Sequence, residues 1–146
     1  MAQFEPRNPD FRAFLEGYVG AQRYLRLIGA ELVEIEPGEV VFRVPYRDDL
    51  GQQDGYFHGG VVGSVAEAVM GAAAASLVAS GSNVVGAEYK VNLLSPGTGA
   101  ALIARGHVVK PGKRLIVCRA DVVGVDAHGG ETPVAIAQGA MAVIAA

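Results

Sequence analysis

The spacing of apolar and polar positions changes several times along the chain, and each change marks an element. Phe11, Phe14, Leu15 and Tyr18 fall at helical spacing, so a first helix is expected from a cap at Asn8 or Asp10 to about Gly29. The period then shortens. Ala30 to Glu36 and Glu39 to Tyr46 read as strands around the turn Pro37-Gly38, with Val40, Phe42 and Val44 alternating with Val41 and Arg43. Arg47 to Phe57 reads as a polar loop. Gly59 to Ser80 is the longest helical stretch, with Gly81 as its expected C-terminal cap. Strands are then expected over Val84–Leu94, Ala100–Lys110, Arg114–Val125 and Thr132–Ala145. Their punctuation is Ser95-Pro96-Gly97, Lys110-Pro111-Gly112-Lys113 and Asp126 to Gly130, and connections this short predict antiparallel hairpins throughout.

The long helix is apolar on nearly every side, so it must be buried. Small residues at Gly63, Ala66, Ala72, Ala73 and Ala74 let a sheet approach it closely. The expected class is α+β, with an antiparallel sheet curling around one helix. A chain of 146 residues, 51% hydrophobic, fits one domain spanning 1–146, and no linker or repeat divides it.

Charge and cysteine usage narrow the function. With 12 Lys and Arg against 15 Asp and Glu, the net charge of −3 argues against nucleic acid as a partner. Cys118 stands alone, which excludes an intrachain disulfide and favours a reducing, cytoplasmic setting. Met1 to Phe11 lacks the basic-then-apolar order of a signal peptide. The apolar stretch Gly59 to Gly81 holds Glu67 near its middle, and an acid in a bilayer centre costs roughly 2.5–3.5 kcal/mol, so no membrane span is expected. His58, His107 and His128 are scattered, and no metal is expected. Ser64 lacks the second glycine of a nucleophile elbow, which argues against a serine hydrolase.

The candidate chemistry lies in Gly51 to Gly60 and the helix that follows. A carboxylate at the centre of an Ala/Val helix is expensive to bury unless it is paired, and Ser64, Glu67 and Gly71 form a stripe on one helix face, the desolvated setting in which functional carboxylates sit. At the helix start, His58-Gly59-Gly60 offers unpaired backbone N–H groups and the positive end of the helix dipole. That arrangement suits an oxyanion formed from a carbonyl. Gly59 and Glu67 are separated by about 12 Å on one helix at 1.5 Å per residue, so they cannot both touch one carbonyl. Two antiparallel helices about a two-fold axis bring Glu67 of one chain opposite Gly59 of the other, which predicts a homodimer with shared sites.

At these residues the chain resembles the hotdog-fold acyl-CoA thioesterases of the phenylacetate-degradation and 4-hydroxybenzoyl-CoA type. His58-Gly59-Gly60 stands with an acid nine positions after the histidine, Gln52 lies six before it, and Glu88 to Leu94 runs into Ser95-Pro96. The resemblance covers about Leu27 to Ala142 and implies hydrolysis of an acyl-CoA thioester. By it, Glu67 is the nucleophile or general base, the Gly59 N–H polarises the carbonyl, and Gln52 and His58 orient the thioester or water. Gly60, Ser64 and Gly71 then line the substrate site. The resemblance also implies a tetramer of two dimers, with coenzyme A entering only as part of the substrate. Where related enzymes carry a Thr one helical turn after the acid, this chain has Gly71, and Gly86 stands near where others have a Ser; Ser64, Ser82 or Asn83 are the nearby substitutes.

Lys110, Lys113 and Arg114 form a basic turn that suits the nucleotide phosphates of coenzyme A. A dehydratase or hydratase of acyl thioesters, or a non-catalytic acyl-CoA binder, are the competing functions. Hotdog dehydratases place Phe and Pro after their histidine, against the Gly-Gly found here.

Overall fold

A computed structural model describes residues 4–145. The elements in chain order are α1 (Phe11–Gly20), α2 (Arg23–Leu27), β1 (Glu31–Glu36), β2 (Glu39–Pro45), α3 (Gly59–Ala75), β3 (Ser82–Leu93), β4 (Ala101–Pro111), β5 (Leu115–Val125) and β6 (Glu131–Ala145), with one 3-10 turn at Asp48–Leu50 inside the loop. The strands form one antiparallel sheet in the order β1-β2-β4-β5-β6-β3. This is the expected α+β arrangement, a sheet wrapped around a long helix.

Period-2 alternation builds the concave face. Val40, Phe42 and Val44 of β2, Leu102 and Ala104 of β4, and Ile116, Cys118, Ala120 and Val122 of β5 all point at α3 and are almost fully buried. Removing this apolar surface from water drives the wrap, at about 25 cal/mol per Å² buried. The helix answers with small residues: Val62, Val65, Ala66, Val69, Ala72 and Ala73 are all buried. Gly106 marks the closest approach, since a Cβ there would overlap the carbonyl oxygen of Val69.

Three expectations need correction. The first helix does not run unbroken to Gly29. It stops at Gly20, Gln22 is extended, and a short second helix turns Leu25 and Ile28 into the core. Glycines at 17 and 20 weaken the helix just where the chain must turn. The Asp10 side chain makes no cap. Instead Asn8 accepts the Asp10 N–H at 3.0 Å and the Ser80 hydroxyl at 3.1 Å, tying the N-terminal segment to the region after α3.

The central helix ends at Ala75, not Ser80. The Ser76 hydroxyl donates to the Ala73 carbonyl and accepts the Gly38 N–H at 2.8 Å, so the helix end is fixed by the β1–β2 turn. Gly81, with φ of +79°, serves the turn into β3.

Lastly, β3 and β4 do not form a hairpin. They lie on opposite sides of the β5–β6 pair, three strand spacings or about 14 Å apart. The connection after Leu93 crosses under the sheet's end, pinned where the Phe57 N–H donates to the Gly97 carbonyl at 2.8 Å. As a result β3 is an edge strand of 12 residues, and only Val84 along it is buried. Among the described residues, no helix is long and apolar enough to cross a membrane.

Candidate active site

The loop before α3 and the helix start are locked together. His58 caps the helix: its Nδ1 accepts the Gly60 N–H at 2.8 Å, so the ring carries its proton on Nε2 when neutral. A Cβ at Gly60 would stand 2.9 Å from that nitrogen, so glycine is what lets the ring lie over the backbone. The His58 carbonyl takes the Val61 and Val62 N–H groups. The Gly59 N–H, in contrast, has no acceptor among the described residues. Gly59 borders a cleft of about 400 Å³ with Gln52, Tyr56, Leu93 and Leu94.

Gln52 stands in that cleft but is folded onto its own turn. Its Oε1 accepts the Asp54 and Tyr56 N–H groups, and its Nε2 lies 3.4 Å from Asp54 Oδ2. The structure thus brings together Gln52 and Gly59, with His58 acting as the cap that holds the helix start in place.

Glu67 lies elsewhere, two turns along α3 in a second cleft of about 640 Å³ lined by Gln22, Tyr24, Ser64, Gly86 and Tyr89 among others. Its carboxylate rests on β3: Oε1 is 2.6 Å from where a Cβ on Gly86 would be. No hydrogen-bond donor or cation among the described residues reaches it. Burial therefore pushes its pKa above the ordinary carboxylate range.

Ser64 shares this cleft, but its hydroxyl is engaged, donating to the Gly60 carbonyl at 2.6 Å and accepting from the Tyr24 hydroxyl at 3.0 Å. Gly71 is buried and lines neither cleft, and Gly60 lines neither. Ser82 and Asn83 begin β3 outside the Glu67 cleft, and Asn83 Oδ1 takes the Val84 N–H. Lys110, Lys113 and Arg114 are exposed at the β4–β5 turn, where Arg7 joins them by donating to the Pro111 carbonyl at 3.1 Å. They line neither cleft. They do stand at Glu67's end of the sheet, because Met141 pairs with both Ile116 and Gly86.

Sequence reasoning missed the wall over Glu67. Gln22, in the link between α1 and α2, and Tyr24 of α2 line that cleft, and Tyr18 of α1, one position of the apolar stripe, reaches Gly71 of α3. Nothing in local spacing shows that this stripe covers a helix more than 40 residues later in the chain. Cys118 is fully buried in β5 and its thiol is pushed up to about 12 by desolvation, which removes it as a nucleophile. Among the described residues, no cluster of His, Cys, Asp and Glu could hold a metal ion.

The family model of the thioesterase superfamily matches residues 54–131, which include the α3 residues of both clefts. A solved thioesterase family protein from Silicibacter pomeroyi is 30% identical, with a TM-score of 0.90 over 93% of this chain and 99% of that one. A relative from Halobacterium salinarum, named as a candidate esterase, is 29% identical over 92% of this chain and 93% of its own. The E. coli PaaI protein of the phenylacetic acid degradation operon is 19% identical with a TM-score of 0.80, covering 92% of this chain and 93% of that one, a likeness of fold alone.

Proposed function

The chain belongs to the thioesterase superfamily, has its hotdog fold and is a hydrolase of thioesters or esters; from that premise we propose that its substrate is an acyl-CoA thioester, hydrolysed at a site shared by two subunits. The observation that carries this reading is a complementary pair of unmet needs. Among the described residues, Glu67 is a half-buried acid with no donor and Gly59 presents a helix-start N–H with no acceptor. The two lie in separate clefts of one subunit. Both clefts open along the same edge strand.

Geometry supports a two-fold axis between them. Gly86 of β3 rests against Glu67, and Leu93 of β3 against Gly59, where a Cβ would stand 3.1 Å from it. Pairing β3 antiparallel with its own copy brings the Gly86 end of one strand beside the Leu93 end of the other when the axis passes near Tyr89 and Lys90. On α3 the midpoint between Gly59 and Glu67 is Gly63, and its nearest side chains are those of Tyr89 and Val91, at 3.8 and 3.9 Å from a Cβ built there. Helix and strand thus give the same centre. The unpaired edge also carries exposed Val85, Tyr89 and Leu93, a surface that invites strand pairing.

In such a site the thioester carbonyl accepts the N–H from Gly59 of the partner subunit, at the positive end of that helix. Glu67 takes a proton from water whose oxygen attacks the carbonyl carbon, the C–S bond breaks, and coenzyme A leaves as the thiol with that proton. Alternatively Glu67 attacks directly, the thiolate leaves, and a water then hydrolyses the acyl-Glu67 anhydride to the free acid and gives the thiolate its other proton. Lys110, Lys113 and Arg114, with Arg7, are the cations placed to meet the nucleotide phosphates.

Complementation tests the shared site. Glu67→Gln removes the acid. Gly59→Pro removes the N–H at the first helical position, where proline is tolerated. Each variant alone should be inactive in release of free thiol from acyl-CoAs. Mixed subunits contain one intact site, so co-expression should restore roughly a quarter of full activity if assembly is random. Heterodimers without any recovery would overturn the proposal, as would turnover by Glu67→Gln alone.

A further inference from the structure

Glu67's carboxylate meets no donor among the described residues, and one hydroxyl from α1 reaches the segments that flank it. Tyr18 sits on α1 with its ring packed on Phe14, 5.9 Å between centroids. Its hydroxyl lies 3.4 Å from the Val84 carbonyl, and 4.0 Å from where a Cβ on Gly71 would stand. Gly71 is one helical turn beyond Glu67, and Val84 is two residues before the Gly86 that touches the carboxylate. The same two segments therefore bracket both the phenol and the acid. No direct hydrogen bond among the described residues joins the two groups, and polar groups on facing segments are joined by a bridging water where the space holds one.

Resting on the general-base form of the function proposed above, we propose that Tyr18 is the positioning residue that, together with Glu67, holds the water that attacks the thioester. Its hydroxyl hydrogen points at the Val84 carbonyl, which leaves the oxygen lone pairs as acceptors. A water there donates one O–H to Glu67 and the other to Tyr18, so its own lone pair faces the substrate. In the reaction Glu67 takes the first proton while the water oxygen forms the new bond to the carbonyl carbon. The carbonyl π pair moves to oxygen, at the N–H from Gly59 of the partner subunit. Collapse breaks the C–S bond, and the sulfur takes the proton from Glu67. Tyr18 exchanges no proton.

Gln22 lines the cleft as well, while two hydroxyls near the acid are engaged elsewhere. The Tyr24 hydroxyl is committed to Ser64, and Ser64 to the Gly60 carbonyl. Tyr89 also lines the cleft, with its hydroxyl beside Gly63, one turn before Glu67, and among the described residues no Lys or Arg lines it. Burial, and then the charge of Glu67, raise the pKa of Tyr18, which keeps the phenol neutral at neutral pH.

Tyr18→Phe keeps the ring and its packing while deleting only the oxygen. The expected result is a kcat lower by about tenfold, with KM changed less than about twofold and the thermal midpoint within about 2 °C. The acid limb of the pH–rate profile stays in place, since Glu67 still titrates as the base. Full kcat in Tyr18→Phe, or a loss explained by a raised KM or a lowered thermal midpoint, would overturn the assignment. Glu67→Gln run in parallel separates the two levels. Turnover by Glu67→Gln removes the underlying reading, whereas an inactive Glu67→Gln beside a fully active Tyr18→Phe removes only the role of Tyr18.

Discussion

Glu67 and Gly86 are in contact at the point where helix and edge strand meet: the carboxylate oxygen occupies space 2.6 Å from a hypothetical Cβ on the glycine. The glycine thus sets how far the acid extends toward β3. Gly86→Ala should displace the carboxylate, and because that group is the end of a flexible side chain, the fold should tolerate the methyl. A shift of about 1 Å in a reacting group can lower the rate by about 100-fold. We expect kcat to fall by at least about tenfold with little change in thermal midpoint, measured by thiol release and by circular dichroism on heating.

The raised pKa of Glu67 gives two signs that can be checked together. In the proposed reaction the acid must be ionised, so kcat/KM should fall as pH drops through a value above the ordinary carboxylate range. For stability the direction is opposite. A carboxyl whose folded pKa exceeds its unfolded one favours the fold below the unfolded pKa and loses that contribution as pH rises through the folded pKa. Glu67→Gln should therefore raise the thermal midpoint at pH 8, by roughly 2 °C, and the gain should vanish near pH 4. A gain that grows on acidification would refute the assigned cause.

The proposed edge pairing would make activity depend on assembly. Lysine on an edge strand blocks pairing with a second chain. Tyr89→Lys, at the expected two-fold axis, should sediment as a folded monomer and lose at least about tenfold of the activity. A monomer with full activity would show that one subunit suffices.

Cys118 should be chemically silent. Its thiol is buried against α3 and held at about 12, so at pH 8 it carries almost no thiolate. Treatment of the native protein with iodoacetamide should leave mass and activity unchanged, and modification should appear only after denaturation.

The elements legible in the sequence were those whose signal is local. Alternation in Val40-Phe42-Val44 places a strand because every second side chain shares a face, and His58-Gly59-Gly60 marks a helix start because capping involves neighbours only. Less legible were contacts closed over long separations. The turn Ser95-Pro96-Gly97 has hairpin chemistry, yet β3 pairs with β6 instead of β4, since strand choice is decided by which partner completes the sheet. The helix end at Ala75 depends on Gly38, a residue 38 positions from Ser76, so Gly81 misleads.

By itself the sequence determined an apolar helix carrying one acid, the glycine-rich helix start and the set of strands, since period and capping act within a few residues. It also required that Glu67 and Gly59 be too far apart on one helix to share a carbonyl. Only the tertiary structure decided that β3 lies at the edge, that Glu67 is walled by Tyr24 and Gly86, and that the Tyr18 hydroxyl stands nearby. Those relations come from packing α1 and α2 over a helix distant in sequence, and burial of apolar surface, which has no direction along the chain, chooses that arrangement.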